Sequence, residues 1–181
     1  MARDASDPTA PLAPLRPGHL LQALQHHRVR FIILGGIAER MLGSPRTTED
    51  FDICPATSRA NLTRLAAVLN EIDARWLPPG LEETGFPPVE PWNARSFAAQ
   101  TSLALITRYG RFDIWLRPDG TDGFEDLVKR AVDVEVGGQM VKVVHLDDSI
   151  RIKRAIGGTK YLAQLPLLQD LQRERRARGL D

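Results

Sequence analysis

Two acidic residues, Asp50 and Asp52, are separated by a single apolar residue in a short alternating segment. Residues two apart on a β-strand share a face, so these two carboxylates can converge on one hard cation. Asp113 has the same phase in a later segment, because Phe112 and Ile114 take the core-facing positions there, so all three carboxylates are predicted on the exposed face of the sheet. Three carboxylates gathered without cationic partners repel one another, so the pattern predicts a site for divalent cations.

Such a site suits nucleotide transfer. Two Mg²⁺ ions held about 3.5 to 4 Å apart can bind a nucleoside triphosphate (NTP), stabilise the leaving pyrophosphate and lower the pKa of an attacking hydroxyl group. Mn²⁺ is an alternative ion. We expect Asp50 and Asp52 to bridge the ions, and Asp113 to bind the catalytic ion and help to deprotonate the acceptor.

A glycine pair precedes the acidic residues, between an apolar run and a helical segment. Because Gly35 and Gly36 lack a Cβ atom, their backbone N–H groups can approach phosphate oxygens closely. Arg46 and Thr48 lie just before the acidic pair and can add side-chain donors. These four residues are the predicted nucleotide-binding residues.

The order of these features resembles the motifs of the nucleotidyltransferase superfamily, which includes DNA polymerase beta, aminoglycoside nucleotidyltransferases and the minimal nucleotidyltransferases. Members pair a glycine motif with an Asp-x-Asp on the second strand and a third Asp on a later strand. The sequence looks most similar to the bacterial group that contains the AbiEii-type and mycobacterial MenT-type toxins. The shared motifs are Gly35-Gly36-Ile37-Ala38 and Arg46-Thr47-Thr48-Glu49-Asp50-Phe51-Asp52-Ile53.

The resemblance continues downstream and covers about 29–168. It implies that Lys153 is a catalytic residue that faces the triphosphate; without it, Lys153 would be taken for a solvated helix lysine. The next motif departs from the group, because Gly158 stands where an Arg is usual and Tyr161 where an Asp is usual. The nucleotide or acceptor contacts of that Arg and Asp are therefore open here.

By this resemblance, we expect a magnesium-dependent enzyme that transfers a nucleoside monophosphate from an NTP to an RNA acceptor, either tRNA or another RNA end. The enzyme would be the toxin of a toxin–antitoxin pair, with a cognate antitoxin as partner. A basic C-terminus fits phosphate contacts, although a solvated helix end is the simpler explanation and the one that we favour. Its basic residues are Arg173, Arg175, Arg176 and Arg178.

Two other functions are compatible with the sequence. The acceptor could be a small hydroxylated molecule such as an aminoglycoside, for which Glu82, Glu83 and Glu90 could supply an acidic pocket. Alternatively, the chain could be a non-catalytic binding module that keeps the fold. The intact carboxylates argue against this last function.

Composition favours a cytoplasmic protein with no membrane partner. The chain of 181 residues suits one compact domain, and its 43% hydrophobic content excludes a disordered chain. It contains no apolar run near the roughly 20 residues needed to cross a bilayer. The single cysteine, Cys54, cannot form an intrachain disulfide, which agrees with a reducing compartment.

Periodicity predicts an α/β (α+β) fold with a mixed β-sheet flanked by helices and a helical C-terminal segment. We expect a flexible leader (1–17), a nucleotidyltransferase core (18–146) and C-terminal helices packed on the core (147–181). Ser58 and Asp147 are the expected N-caps of two helices. The predicted helices are 18–28, 37–42, 58–72, 124–132, 150–156 and 166–178. The predicted strands are 29–34, 51–54, 103–107, 112–116, 134–136 and 140–144, and 77–95 is a proline-rich loop.

Overall fold

A computed structural model describes residues 13–77, 86, 88 and 90–180. Most of the predicted leader and much of the predicted proline-rich loop, including Glu82 and Glu83, therefore lie outside the described residues. The part of the leader that is described contacts the domain, since the backbone N–H of Arg16 donates to the carbonyl of Tyr109 at 2.9 Å.

The described residues form one seven-stranded mixed sheet with helices around it, which confirms the predicted fold class. The sheet order is β3-β4-β5-β2-β1-β7-β6. The strands are β1 (Phe31–Leu34), β2 (Asp50–Pro55), β3 (Arg75–Trp76), β4 (Ser102–Thr107), β5 (Gly110–Trp115), β6 (Val132–Val136) and β7 (Gln139–Val143). The helices are α1 (Pro17–His26), α2 (Gly35–Met41), α3 (Arg59–Glu71), α4 (Phe124–Leu127), α5 (Leu146–Ile156), α6 (Gly158–Leu162) and α7 (Leu165–Ala177).

The centre of the sheet positions the predicted acidic residues. Strand β2 lies between β1, to which it is antiparallel, and β5, to which it is parallel. Both predicted hairpins form, one from β4 and β5 and the other from β6 and β7. Parallel pairing of β2 with β5 brings together two segments that are far apart in the sequence.

The apolar residues of β2 and β5 belong to the core. Phe51 and Phe112 are fully buried, with ring centroids 6.0 Å apart. Ile53 and Ile114 are also fully buried and belong to the same core cluster. Burial of these side chains stabilises the two strands in place, at roughly 1.5 to 3 kcal/mol for each.

Several helix boundaries differ from the sequence prediction, most clearly those of α2, α4 and α5. Helix α4 ends at Leu127, and the predicted helical segment continues into β6, because Val132 pairs with Val143. Helix α5 has His145 as its N-cap, whose ring nitrogen accepts from the backbone N–H of Asp147 at 3.1 Å. The prediction of Asp147 as the N-cap was therefore wrong, because Asp147 is the second residue of this helix. The glycine pair forms the first turn of α2 and does not precede it.

The basic C-terminal helix α7 makes contacts within the chain. Arg175 Nη1 donates to the carbonyl of Leu42, and Arg176 Nη2 lies 2.8 Å from Asp147 Oδ1. Arg173 forms an ion pair with Asp170. The contacts of Arg175 and Arg176 join α7 to the ends of α2 and α5, whereas the Arg173 ion pair lies within α7. In the part of the chain that the structure describes, no helix combines the length and the apolar character that a membrane crossing requires.

Candidate active site

The three predicted carboxylates meet on one face of the sheet. In the parallel pair of β2 and β5, Asp52 lies directly beside Asp113, and Asp50 lies beside Arg111. One carboxylate oxygen from each aspartate can be chosen so that all three lie within 4.8 Å of one another. The structure therefore brings together the residues that the sequence predicted to share a cation.

Asp52 is the most buried member of this carboxylate cluster, at 9% exposed, although the sequence placed the cluster on an exposed face. Burial, with the adjacent charges of Asp50 and Asp113, raises the pKa of Asp52 to about 7. A hydrogen bond from Trp115 Nε1 to Asp52 Oδ1, 2.9 Å long, partly opposes this rise in pKa. Much of Asp52 is thus protonated near neutral pH unless a cation binds.

The other two aspartates have different surroundings. Burial raises the pKa of Asp113 to about 6 against the lowering effect of Arg111, and Asp113 Oδ1 is buried without a hydrogen-bond partner among the described residues. Asp50 Oδ1 accepts from Thr48 Oγ1 at 2.5 Å. A group of carboxylate oxygens, one of them orphaned in a buried position, fits a hard divalent cation such as magnesium.

The glycine pair packs against this cluster. Gly35 has φ +60, and a Cβ atom there would lie 2.8 Å from Asp52 Cγ. A Cβ atom on Gly36 would lie 2.5 Å from Thr48 Cβ. Close packing beside the acidic strand therefore requires glycine at both positions, independently of any phosphate contact.

A cavity of about 370 Å³ lies over the carboxylate cluster. Its wall contains apolar and aromatic side chains as well as charged ones, including Trp115, Ile152 and Tyr161. All eight residues predicted for the site line it: Gly35, Gly36, Arg46, Thr48, Asp50, Asp52, Asp113 and Lys153.

Comparisons with known proteins locate this architecture among enzyme structures. The lincosamide antibiotic adenylyltransferase LnuA, solved with lincomycin bound, superposes with a TM-score of 0.57 at 11% identity over 87% of this chain and 99% of that chain. The antibiotic-resistance factor ANT(2'')-Ia gives 0.51 at 15% identity over 90% of each chain. An antigenic nucleotidyltransferase-like protein from Paracoccidioides brasiliensis gives 0.50 at 17% identity over 88% and 78%. The chain has the nucleotidyltransferase fold.

No protein-family model and no curated protein sequence matches this chain. The likeness is therefore one of shape, at identities too low to carry function across.

Lys153 is buried beside the cavity and is not the solvated lysine of the simpler interpretation. It is 7% exposed, and its Nζ lies 2.9 Å from Glu39 Oε1 and 2.8 Å from Gln164 Oε1. Arg46 Nη1 lies 4.0 Å from Glu39 Oε2, and Arg46 is half-buried. Two cationic side chains, those of Lys153 and Arg46, thus flank the carboxylate cluster, and both lie near Glu39.

Of the two positions that depart from the toxin-group motif, Tyr161 lies beside Lys153. Tyr161 lines the cavity, and its ring centroid is 5.9 Å from Lys153 Nζ and 5.7 Å from Lys160 Nζ. Gly158 adopts φ +72, and a Cβ atom there would meet nothing within 4 Å. In this nucleotidyltransferase fold, an aromatic ring between two lysines occupies the place where the toxin group usually has a carboxylate.

Glu39 and Trp115 are site residues that the sequence motifs did not include. Glu39 has the spacing of a residue on the same helical face as Gly35 and Gly36, which is the available sequence signal. Trp115 lies two positions after Asp113 in β5, and alternation places both on the cavity face. Their contacts with Lys153 and Asp52 depend on tertiary packing.

Proposed function

We propose that the chain is a metal-dependent nucleotidyltransferase that transfers a nucleoside monophosphate from an NTP to a hydroxyl group of an acceptor. The observation that carries this proposal is the convergence of Asp50, Asp52 and Asp113 beside the Gly35 turn. Magnesium bound by these carboxylates would neutralise charge on the triphosphate and on the leaving pyrophosphate.

The residues around the cavity divide into two roles in this proposal. Lys153, Lys160 and Arg46 offer positive charge to phosphate oxygens, and Gly35 and Gly36 leave room for those oxygens to approach the backbone. An acceptor oxygen forms a bond to the α-phosphorus while the bond to the bridging oxygen breaks, which releases pyrophosphate. We assign to Asp113 the removal of the acceptor's hydroxyl proton, because its Oδ1 lacks a hydrogen-bond partner among the described residues.

The first proposed acceptor is tRNA or another RNA end, with the chain as the toxin of a toxin–antitoxin pair. This proposal rests on the motifs shared with the AbiEii and MenT groups. Lys160, exposed at the edge of the cavity, is available to an RNA phosphate. Helix α7 supports it less than its composition suggested, because Arg175 and Arg176 bind within the chain.

The second proposed acceptor is a small hydroxylated molecule that resembles an aminoglycoside. One structural neighbour is a lincosamide antibiotic adenylyltransferase that was solved with lincomycin bound, and another is an antibiotic-resistance factor. Exposed Glu49 lies at the edge of the cavity, where it could attract a cationic acceptor. Glu90, exposed in the predicted loop, is the other acidic candidate that the structure describes.

One labelling experiment separates these proposals. The purified chain is incubated with Mg²⁺ and each α-labelled NTP, with either total tRNA or a panel of aminoglycosides and lincosamides as acceptor. Asp52→Asn is the inactive comparison, and Asp133→Asn, an exposed aspartate on β6, is the matched control.

Label in tRNA that requires Asp52 would support the RNA acceptor, and label in a small molecule would support the second acceptor. Growth arrest on expression that also requires Asp52 would favour the toxin proposal. Absence of label in every mixture, with the chain folded, would leave a non-catalytic binding module as the function.

A further inference from the structure

Glu39 is a buried acid in the wall of the cavity, and the proposed reaction gives it no role. Its side chain is 1% exposed, and its Oε1 contacts Lys153 Nζ at 2.9 Å and Ser149 Oγ at 3.3 Å. Its Oε2 is buried without a hydrogen-bond partner in the described part of the chain, with Arg46 Nη1 4.0 Å away. A buried carboxylate with one unsatisfied oxygen is costly to fold, so its presence calls for a function.

Lys153 has two possible sets of anionic partners. One is Glu39, and the other is the carboxylate cluster, whose three aspartates line the same cavity as Lys153. An ammonium group paired with the cluster would neutralise the oxygens that a divalent cation needs. In the structure the ammonium group is instead held by Glu39 Oε1 and Gln164 Oε1, at 2.9 and 2.8 Å.

We propose that Glu39 is a positioning residue that holds Lys153 beside the cavity and keeps it from pairing with the carboxylate cluster, which leaves the cluster free for divalent cations. Through its second oxygen, Glu39 acts on Arg46 in the same direction. The inference rests on the proposed function, since it assumes that Asp50, Asp52 and Asp113 bind a metal. It adds the requirement that Glu39 hold Lys153 away from the carboxylate cluster if divalent cations are to bind there.

The test is a double-mutant cycle on Mn²⁺ affinity, measured without nucleotide from the electron paramagnetic resonance signal of free Mn²⁺. The four proteins are wild type, Glu39→Gln, Lys153→Met and the double variant. Glu39→Gln keeps an acceptor for Ser149 but removes the charge. With Lys153 present, we expect Glu39→Gln to weaken Mn²⁺ binding by about tenfold, since the released ammonium competes for the cluster.

In the Lys153→Met background, we expect Glu39→Gln to change Mn²⁺ affinity by less than about threefold, because no ammonium remains to be released. An equal loss in both backgrounds would show that Glu39 acts only through its own negative field, and would overturn the inference. If wild type binds Mn²⁺ and the cycle shows no coupling, the inference fails alone. If wild type binds no Mn²⁺, the proposed metal centre fails with it.

Thermal unfolding checks that each variant is folded. Should Glu39→Gln not fold, Glu39→Asp is compared in the same two backgrounds, because it keeps the charge and withdraws the carboxylate by one methylene. We then expect a smaller loss of Mn²⁺ affinity that again depends on Lys153. A loss independent of Lys153 would contradict the positioning role in this variant too.

Discussion

Asp52 and Asp113 are direct neighbours across the parallel pair of β2 and β5. Their carboxylates share one face of the sheet, are partly or largely buried, and have pKa values raised to about 7 and about 6. The fold thus holds like charges together at the position where a cation would relieve their repulsion. This repulsion lowers the stability of the protein while no cation is bound.

Replacing Asp52 with Asn should abolish nucleotide transfer and stabilise the metal-free fold. Asn keeps an oxygen to accept from Trp115 Nε1 but removes one of the repelling charges. We expect activity to fall by at least about 1,000-fold and the free energy of unfolding at neutral pH to rise by about 1 kcal/mol. Labelled-NTP assays and thermal unfolding without metal measure the two effects. A variant that is both inactive and less stable would contradict the repulsion.

Stability of the metal-free protein should decrease as the pH rises from about 4 to about 7. The folded state binds more protons than the unfolded state in this window, because the pKa of Asp52 is raised from 3.8 to about 7 and that of Asp113 to about 6. Their favourable contribution is therefore present below the unfolded pKa and lost as the pH passes the folded value. Thermal unfolding in a series of buffers without metal measures this slope.

Mg²⁺ should reverse that loss, because a cation binds the deprotonated carboxylates. We expect Mg²⁺ to raise the melting temperature clearly at about pH 8 and much less at about pH 5. Asp52→Asn is the control and should show a flatter pH profile. Stabilisation by Mg²⁺ of equal size at both pH values would contradict a site built on these aspartates.

Gly35→Ala should disrupt the site beyond the ordinary strain of its backbone conformation. Gly35 has φ +60, and an added Cβ atom would collide with the Asp52 carboxylate. Gly137 is a matched control, since it has φ +59 with nothing within 4 Å of an added Cβ atom. We expect Gly137→Ala to cost about 1 kcal/mol of stability with unchanged Mn²⁺ binding.

For Gly35→Ala we expect a greater loss, of about 2 kcal/mol or more, together with weakened Mn²⁺ binding. Thermal unfolding and Mn²⁺ titration of both variants provide the comparison. Equal losses of stability, with Mn²⁺ affinity intact in both proteins, would show that conformational strain is the whole effect and that packing against Asp52 contributes nothing.

Alternation along each strand was enough to predict which face Asp50, Asp52 and Asp113 occupy. It could not give the depth of Asp52, because burial of that residue depends on the groups that cover the sheet, among them Trp115. The residue at which α4 ends also could not be predicted from the local sequence. Residues 128–132 are compatible with a helix. The long-range pairing of Val132 with Val143 instead begins strand β6 at Val132.

Motif order predicted that Lys153 belongs to the site, whereas its partner Glu39 was not recognised. Glu39 lies more than one hundred positions earlier in the chain, and only the packing of α2 against α5 brings the two together. Sequence spacing carries information within one helix or strand. Contacts between elements require the three-dimensional arrangement.

Trp115→Phe should weaken cation binding near neutral pH by raising the pKa of Asp52 further. The hydrogen bond from Trp115 Nε1 favours the charged carboxylate, so its loss shifts Asp52 toward the protonated form. We expect Mn²⁺ affinity to fall by about three- to tenfold at pH about 7, and by less at pH about 8.5, where Asp52 is deprotonated in both proteins.

Trp92→Phe is the matched control, because Trp92 Nε1 also donates a 2.9 Å hydrogen bond, in this case to the carbonyl of Ala74. Trp92 is not among the residues that line the cavity. It should lose stability, at about 1 to 3 kcal/mol for the unsatisfied carbonyl, without a change in Mn²⁺ affinity. The hydrogen bond of Trp115 acts through the protonation of Asp52, so its loss should matter less at the higher pH. An equal loss of Mn²⁺ affinity at both pH values would therefore mean that the indole supports the site by its shape and not by its hydrogen bond.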